Sequence, residues 1–509
     1  METLTHVSEA LFIRAREAPG DLAFEWRRQA LTWQALLDGV LRSAAVLAAR
    51  GVTPGSRCAI VLPTGFDFVR AFFGTQVLGA VPVPMNPRLT ADQLRRRVTG
   101  IACAASIGEG PHALAEGVPH VQAATLLTAA PASPRTLPRP APDDLSHLQL
   151  TSGTTGEPRA VMLRHRNVMA VLHAAQEFLE TTPRDRLVGW LPLHHDFGLV
   201  RFVLGPPVYG CPAALVEPSM AALPAWLDTI SRTRATITGG PDIAYRMAPR
   251  LVPRDRVDLT SLRMATSGGE SVRASSIALF EEHFGVPGRV RPGYGLAEAT
   301  LAVTVLRRGE ALRIDGAGHV SCGTPVAGVR IRIVGDDDAD LPAGAAGRIL
   351  VQGPGVFAGY LDDPEGTAAV LRDGWLHTGD IGAVDADGHL YVHGRRRAMI
   401  KRGGAVIAPR EIEESVDALP GVRRSAAVGL AAGDGTERLV VVVETARGLA
   451  QDELTELRTA VGDAARRAVG HSPQEVVLVR PGTIPRTSTG KVQYDALRQQ
   501  VVESLPGGT

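Results

Sequence analysis

Short valine-rich apolar runs alternate with helical patterns along most of this chain, which is typical of an α/β fold. Residues 57–63 (RCAIVLP) predict a buried strand. Residues 66–80 then predict a helix, because Phe66, Val69 and Phe73 recur at the spacing of one helical face. The run VPVP that follows predicts the next strand. The pattern therefore favours a layered fold in which helices cover sheets.

A chain of 509 residues is too long for one hydrophobic core, so we predict two domains. The large amino-terminal domain comprises residues 1–394 and contains several subdomains, and a small α+β domain comprises residues 398–509. Residues 395–397 form the predicted hinge. Within the large domain, the proline-rich residues 130–142 predict an extended surface connection.

The carboxyl-terminal third offers two clear local signals. Asp387-Gly388 lies between two apolar runs and predicts a hairpin whose two central turn residues both have positive φ. Further on, the apolar runs RLVVVVE and EVVLVRP predict strands, with a helix at residues 452–468 between them. This order predicts a compact α/β unit at the end of the chain.

The charge balance excludes a strong global field, since 54 Lys and Arg residues face 53 Asp and Glu residues. We therefore expect neither a nucleic-acid partner nor membrane insertion. The four cysteines are far apart and have no metal-ligand spacing, which indicates reduced thiols. The start of the chain lacks a secretory pattern, so we expect a soluble, cytoplasmic protein.

A loop of hydroxyls and glycines follows an apolar strand in residues 148–165 (LQLTSGTTGEPRAVMLRH). Glycines let backbone N–H groups approach a polyanion, and hydroxyls add donors, so this composition suits a triphosphate. A flexible linker is the alternative interpretation, and the loop is not a Walker motif. The candidate phosphate-binding residues are Thr151, Ser152, Gly153, Thr154, Thr155 and Gly156.

The segment TSGTTGEP closely resembles the signature loop of the adenylate-forming superfamily, which contains acyl-CoA synthetases, luciferases and adenylation domains. Family members usually continue with Pro-Lys-Gly, whereas this chain has Arg159 at the lysine position. Further segments resemble that superfamily's motifs in the same order: TSGGESVR (266–273), PGYGLAEATL (292–301), DGWLHTGDIG (373–382), HGRRR (393–397) and PRTSTGK (485–491).

The resemblance implies roles for individual residues. Tyr294 is expected to stack on adenine, and Glu298 is expected to bind Mg²⁺. Asp380 is expected to accept hydrogen bonds from both ribose hydroxyls, with Arg395 contacting ribose and phosphate. Other residues carried over to the nucleotide site are Gly268, Gly269, Glu270 and Gly295.

The resemblance also implies two reactions. A carboxylate attacks the α-phosphorus of ATP, and Lys491 is the expected catalytic lysine at that meeting point of negative charges. A thiol then attacks the acyl adenylate and releases AMP. In the superfamily the small domain is mobile and swings between these steps. The pivot position, usually Asp or Lys, is Arg397 here.

Finer signals resemble fatty acyl-AMP ligases, which load acyl groups onto the phosphopantetheine of carrier proteins. The segments GWLPLHHDFGLV and VSCGTPVAGVRIRIV carry this resemblance. It implies an aliphatic acid as substrate and a carrier protein as partner. Only about twenty residues separate EATL from VSCG, however, so the insertion that hinders use of free CoA in that branch is missing. An acyl- or aryl-CoA ligase therefore remains the alternative.

The expected acid pocket includes His195, Asp196, Gly240, Asp242, Gly268 and Gly295. His195 is expected beside the substrate carboxylate and is also a candidate catalytic residue, although a packed structural histidine is the other interpretation. Asp242 stands where relatives have an amide. Either Asp242 or Asp196 pairs with a substrate amine, which would indicate a stand-alone amino-acid adenylation enzyme, or Asp242 is a hydrogen-bonded polar wall and Asp196 is the usual residue of that branch. A non-catalytic nucleotide-binding relative and a luciferase-type oxygenase are further alternatives.

Overall fold

The computed structural model describes residues 4–110, 113–151, 158–402, 405–431, 437–446, 450–486 and 492–504. The strands of the amino-terminal part are β1 (Leu22–Trp26), β2 (Gln29–Thr32), β3 (Arg57–Val61), β4 (Val81–Pro84), β5 (Ala105–Gly108), β6 (His120–Gln122), β7 (Leu145–Thr151), β8 (Arg159–Arg164), β9 (Leu187–Gly189), β10 (Ala213–Leu215), β11 (Ile237–Gly240), β12 (Met264–Ser267), β13 (Val290–Gly295), β14 (Ala302–Val305), β15 (Thr324–Pro325), β16 (Arg330–Val334), β17 (Gly347–Gln352), β18 (Leu371–Arg372), β19 (Trp375–Val384) and β20 (Leu390–Arg395). The carboxyl-terminal strands are β21 (Ile400–Arg402), β22 (Ala405–Ile407), β23 (Val422–Ala431), β24 (Glu437–Thr445) and β25 (Glu475–Val479).

The helices alternate with these strands through most of the chain. They are α1 (Val7–Glu17), α2 (Trp33–Ala48), α3 (Phe66–Val77), α4 (Ala91–Gly100), α5 (His165–Phe178), α6 (Asp196–Leu199), α7 (Gly205–Tyr209), α8 (Leu223–Thr233), α9 (Asp242–Leu251), α10 (Ala274–Phe284), α11 (Pro364–Val370), α12 (Pro409–Asp417), α13 (Gln451–Val469) and α14 (Tyr494–Ser504). None of the helices in the described ranges has the length and apolar character needed to cross a membrane.

The amino-terminal part is organised around two sheets with parallel centres. One has the order β4-β3-β5-β6, and the other has nine strands in the order β15-β14-β13-β12-β11-β9-β10-β1-β2. The predictions of a strand at 57–63 and a helix at 66–80 are confirmed by β3 and α3. Strands β11, β12 and β13 run parallel side by side, so their carboxyl ends meet at one edge. Ligands of α/β sheets bind at such edges.

A two-stranded antiparallel pair brackets the glycine-rich loop. Strand β7 ends at Thr151 and β8 begins at Arg159, and these two residues face each other across the ladder. The proline-rich residues 130–142 connect β6 to β7 with only one short helical turn, Pro134–Thr136, as predicted. The two strands that flank the loop in sequence are thus paired with each other.

The hairpin predicted around Asp387-Gly388 is present, but its turn differs from the prediction. Strands β19 and β20 pair antiparallel up to the contact of Val384 with Leu390, which leaves five residues in the turn. Of the two predicted turn residues, only Gly388 has a positive φ, +85°. Asp385 Oδ1 instead accepts the backbone N–H groups of Asp387 and His389, which stabilises the longer turn.

The small carboxyl-terminal part packs around the sheet β23-β24-β25. The valine run of β24 is buried on both faces because helices cover both sides. Val441 belongs to the core shared with α12 and α13, and its neighbour Val442 belongs to the core shared with α14. The large amino-terminal and smaller carboxyl-terminal parts agree with the predicted architecture, whereas the exact boundary at residues 395–397 stays a prediction.

Helix α12 joins the two parts of the chain. Asp417 Oδ2, on a side chain that is only 8% exposed, lies 3.3 Å from the guanidinium nitrogens of Arg246 and Arg273. Arg273 also lies 3.5 Å from Glu414. The contact surface between the two parts therefore contains charged groups that are largely shielded from water.

Candidate active site

Glycines form the edge where β11, β12 and β13 end. The N–H of Gly268 donates to the carbonyl of Gly240 at 3.2 Å. A Cβ on Gly268 would lie 2.8 Å from the carbonyl oxygen of Gly293, and one on Gly295 would lie 1.7 Å from that of Leu301. These positions accept only glycine because neighbouring backbone segments approach too closely for a side chain. Of the predicted pocket residues, Gly240, Gly268 and Gly295 thus share one edge.

The predicted adenine and ribose residues lie in direct contact. The Tyr294 hydroxyl donates a 2.5 Å hydrogen bond to Asp380 Oδ2, and Arg395 Nε lies 2.9 Å from Asp380 Oδ1. Arg395 also donates to the Thr378 carbonyl at 2.7 Å. Burial and the neighbouring carboxylate raise the pKa of Tyr294 well above its usual value, so its hydroxyl stays a donor. The cluster joins β13 to the hairpin β19-β20.

Glu298, the predicted magnesium ligand, is held by a residue that sequence analysis did not identify. The Tyr360 hydroxyl donates to Glu298 Oε1 at 2.8 Å. The guanidinium of Arg159 lies 4.8 Å from the centre of the Tyr360 ring, and its Nε lies 3.5 Å from Asp363. Burial and Glu298 raise the pKa of Tyr360. Arg159 therefore contacts the residue that positions Glu298.

Asp242 and Glu270 brace the loops that follow β11 and β12. Asp242 is 4% exposed, and its two oxygens accept hydrogen bonds from Arg273 N and Ser276 Oγ, each at 2.9 Å. Glu270 Oε1 in turn accepts the N–H of Ile243 at 2.8 Å. Asp242 thus binds the start of α10, and Glu270 binds the start of α9. Burial raises the pKa of Asp242, as expected for a carboxyl group in a protein interior.

The histidine segment packs beside the same strand edge. The rings of His194 and His195 lie 4.5 Å apart, and Gln149 Nε2 donates to the His194 carbonyl at 2.8 Å, which ties the segment to β7. Burial and the nearby His195 lower the pKa of His194 well below its usual value. Asp196 Oδ1 accepts the N–H of Phe197 at 2.7 Å, at the start of α6.

Thr300 is a further residue that no sequence motif predicted. It is fully buried and has a φ of +67°, a conformation that β-branched residues rarely adopt. Its hydroxyl donates to the Gly355 carbonyl at 2.7 Å, which secures the turn that follows Glu298.

Several predicted residues lie outside the groups described above or outside the described ranges. Thr151 ends β7, Gly269 adopts a φ of +80° after β12, and Arg397 is exposed after β20. The predicted residues that fall outside the described residues are Ser152, Gly153, Thr154, Thr155, Gly156 and Lys491.

Comparison with known proteins identifies the family of the chain. Residues 11–361 match the model of the AMP-binding enzymes. The chain belongs to this family. The resemblance to adenylate-forming enzymes is thereby confirmed, and the protein is an adenylate-forming ligase that uses ATP to activate a carboxylic acid.

Individual AMP-binding enzymes resemble the chain over nearly its whole length. A protein of Caulobacter vibrioides named putative acyl-CoA synthetase is 32% identical, covering 91% of this chain and 89% of the relative. A feruloyl-CoA synthase of Amycolatopsis is 32% identical, covering 96% and 97%. A solved structure from studies of fatty acyl-adenylate ligases of E. coli and L. pneumophila superimposes with a TM-score of 0.87 at 27% identity, covering 97% of each chain.

Proposed function

We propose that this enzyme converts an aliphatic carboxylic acid and ATP into an acyl adenylate and pyrophosphate, and then transfers the acyl group to the phosphopantetheine thiol of an acyl or peptidyl carrier protein. The observation that carries the proposal is the contact among Tyr294, Asp380 and Arg395. An aromatic ring, a carboxylate and a guanidinium lie together beside the glycine edge. These are the groups that a nucleoside and its phosphate require.

In the proposed complex, the Tyr294 ring stacks on adenine and the Asp380 carboxylate accepts both ribose hydroxyls. A carboxylate suits a vicinal diol because it offers two acceptor oxygens. Arg395 can support Asp380 and also contact a phosphate. Its Nε binds Asp380, while its side chain remains 55% exposed. The exposed part of the guanidinium is available to a phosphate oxygen.

The residues near Glu298 fit a magnesium ion that is shared with the phosphates. Mg²⁺ in nucleotide sites commonly binds one or two carboxylates and completes its shell with phosphate oxygens and water. Glu298 offers one such carboxylate, and the Tyr360 hydroxyl on Oε1 fixes its orientation. When bound, the ion would neutralise charge on the pyrophosphate leaving group. The 152–156 loop would bind the pyrophosphate directly, whereas Glu298 would act on it only through the ion.

The proposed first step forms a bond between a substrate carboxylate oxygen and the α-phosphorus, while the bond to pyrophosphate breaks. Both reactants are anionic, so a cation must lie between them, and we assign this role to Lys491. His195 is the proposed neighbour of the substrate carboxylate. In the second step, the thiol sulfur bonds to the acyl carbon and AMP leaves.

The proposed swing of the carboxyl-terminal part separates the two steps, with Arg397 as its pivot. Arg397 lies in a short turn directly after β20, and its carbonyl accepts a 2.8 Å hydrogen bond from Arg498 Nη2 of α14. The ion pairs of Asp417 with Arg246 and Arg273 would have to break during such a rotation. They therefore favour the orientation seen in this structure.

The acceptor thiol is the part of the proposal with a specific competitor. Similarity to fatty acyl-adenylate ligases supports a carrier protein. The short connection between β14 and β15, which pair directly, favours free CoA instead, as does similarity to a feruloyl-CoA synthase. An amino acid is a third candidate substrate: the hydrogen bonds from Arg273 N and Ser276 Oγ support Asp242 as a polar wall, but they do not use every acceptor position of its carboxylate.

One experiment separates carrier protein from CoA. The enzyme is incubated with ATP, Mg²⁺, a panel of acids and either a pantetheinylated carrier protein or free CoA. Intact-mass analysis of the carrier and chromatography of CoA products give the two rates. We expect the carrier to gain the acyl mass faster at equal thiol concentration. Strong acyl-CoA formation beside an unmodified carrier would refute the proposed acceptor.

A further inference from the structure

Arg201 is a buried arginine without a counter-ion. Arg201 is 3% exposed, and none of the ion pairs in the described part of the chain, with N···O distances up to 4.0 Å, includes it. Its one hydrogen bond, from Nη1 to Thr266 Oγ1, is long at 3.5 Å, and its Nε has no acceptor. Burying an unpaired charge is costly, so buried charges are normally paired. The guanidinium therefore lacks the anion that its location requires.

The surroundings of Arg201 place it at the candidate acid pocket. It belongs to a π-helical turn, Val200–Leu204, which follows α6 and thus the histidine segment. Such turns are frequent at functional sites. Thr266, its hydrogen-bond partner, is the residue before the last in β12, and a Cβ on the adjacent Gly239 would lie 2.5 Å from Thr266 Oγ1. Arg201 is thus beside the carboxyl ends of β11 and β12.

The rest of the site is apolar or offers further donors. Phe178 and Phe197 face the guanidinium, with ring centres 5.4 and 5.6 Å from its carbon. The buried Tyr209 hydroxyl and Trp190 Nε1 also have no hydrogen-bond partner in the described residues. Trp190 Nε1 would lie 3.0 Å from a Cβ on Gly240, at the predicted pocket wall. Each of these three groups therefore lacks a hydrogen-bond acceptor among the described residues, and the acceptor that suits Arg201 is an anion.

We propose that Arg201 binds a second carboxylate at the far end of the acid substrate, so that the enzyme activates a dicarboxylic acid at one end only. This inference rests on the proposed function, because it assigns the substrate class of the same site. Burial lowers the pKa of Arg201, the direction expected of a cation without a counter-ion, but an arginine remains charged at neutral pH. A bound carboxylate would supply the missing charge and planar acceptor pair.

The test uses matched acids. Acid-dependent exchange of labelled pyrophosphate into ATP is measured for dicarboxylic acids and for monocarboxylic acids of equal carbon number. We expect the wild-type enzyme to prefer a dicarboxylic acid, and Arg201→Met to lose about a hundredfold in kcat/KM for it while keeping or gaining activity with the monocarboxylic acid. Arg201→Lys, which retains the charge, should keep part of the preference.

Two results of the exchange assay would overturn the proposal: a wild-type preference for the monocarboxylic acid, or an equal loss with both acids in an Arg201→Met variant that retains its melting temperature. Calorimetric binding of each dicarboxylic acid of the panel in the presence of AMP separates this proposal from the proposed function. Binding that Arg201→Met abolishes would support the site even if no acid drove exchange. Stabilisation by chloride alone, with no competition from dicarboxylic acids, would show an inorganic anion site and refute the substrate assignment.

Discussion

The Tyr294 hydroxyl donates a 2.5 Å hydrogen bond to Asp380 although 86 positions separate the two residues in the chain. Tyr294 lies at the end of β13 in the nine-stranded sheet. Asp380 lies in β19, which belongs to the antiparallel sheet of strands β16 to β20. Two sheets therefore contribute to the proposed nucleotide pocket. Asp380 has only 5% of its surface exposed, and its other oxygen lies 2.9 Å from Arg395 Nε.

Asp380→Asn should lower kcat/KM for ATP by roughly tenfold to a hundredfold, because it replaces a charged acceptor of ribose with a neutral one. Pyrophosphate exchange at varied ATP concentration measures this. Tyr294→Phe is the matched control: it removes one hydroxyl but keeps the ring, so its effect should be at most about tenfold. Unchanged ATP kinetics in Asp380→Asn would contradict the assigned ribose contact.

Tyr360→Phe should raise the Mg²⁺ concentration needed for half-maximal exchange by about tenfold, because Glu298 loses the hydroxyl that orients it. The phenylalanine ring can still stack with Arg159. Tyr391→Phe provides the control, since its hydroxyl contacts Asp385 in the hairpin turn, remote from Glu298 in sequence. An identical Mg²⁺ dependence for wild type and Tyr360→Phe would show that the Tyr360 hydroxyl does not orient a metal-binding carboxylate.

Asp417→Asn should loosen the contact between the two parts of the chain, because its Oδ2 ion pairs with Arg246 and Arg273 are lost. Oδ1 can still accept the Ser425 hydroxyl. Trypsin cleavage at the exposed arginines 395–397 should accelerate on the order of tenfold, as measured by gel densitometry under native conditions.

The control for this prediction is Asp452→Asn, which changes an exposed aspartate of α13 in the same part of the chain. It should cleave at the wild-type rate. If both variants cleave equally fast, the ion pairs of Asp417 do not restrain the two parts.

Glu413 should make the stability of the carboxyl-terminal part depend on pH. Burial raises its pKa from 4.5 to about 7, and its oxygens accept hydrogen bonds from Ala427 N and the Tyr494 hydroxyl. Between these two values the folded carboxyl group keeps a proton that the unfolded chain releases. The stability contribution is therefore present below pH 4.5 and is lost as the pH rises to about 7.

Glu413→Gln removes this proton uptake, so its free energy of unfolding should decline less between pH 5 and pH 8 than that of the wild type. Over this pH range the two declines in unfolding free energy should differ by about 2–3 kcal/mol. Urea unfolding at several pH values measures it. Glu456→Gln, at an exposed position of α13, should follow the wild-type curve. Parallel curves for Glu413→Gln and wild type would contradict the assignment.

The sequence predicted elements whose signal is local. The valine run of β24 and the periodicity of α13 required no knowledge of neighbours, and both elements occur where expected. The hairpin of β19 and β20 was predicted correctly, but its turn was not, because Asp385 binds two backbone N–H groups and favours a longer turn than Asp387-Gly388 suggested. Side-chain capping thus decided a detail that the dipeptide alone could not.

The site was predictable only as far as motifs extend. Tyr294, Asp380 and Arg395 were selected by family resemblance, and the structure brings them into contact. Tyr360 and Arg201 belong to no recognisable sequence motif. Tyr360 matters because it contacts Glu298, which is distant in the chain. Arg201 matters because folding buries its charge among aromatic rings. Such contacts exist only after folding.

The proposed adenylation of a carboxylic acid is tested by comparing wild type with Lys491→Ala. One assay measures acid-dependent exchange of labelled pyrophosphate into ATP, and a second measures thiol transfer from a supplied acyl adenylate. We predict exchange with at least one carboxylic acid for the wild type, none for Lys491→Ala, and comparable thiol transfer by both. No exchange by the wild type with fatty, aromatic, dicarboxylic or amino acids would contradict the account, and equal loss of both steps in Lys491→Ala would refute the role assigned to this lysine.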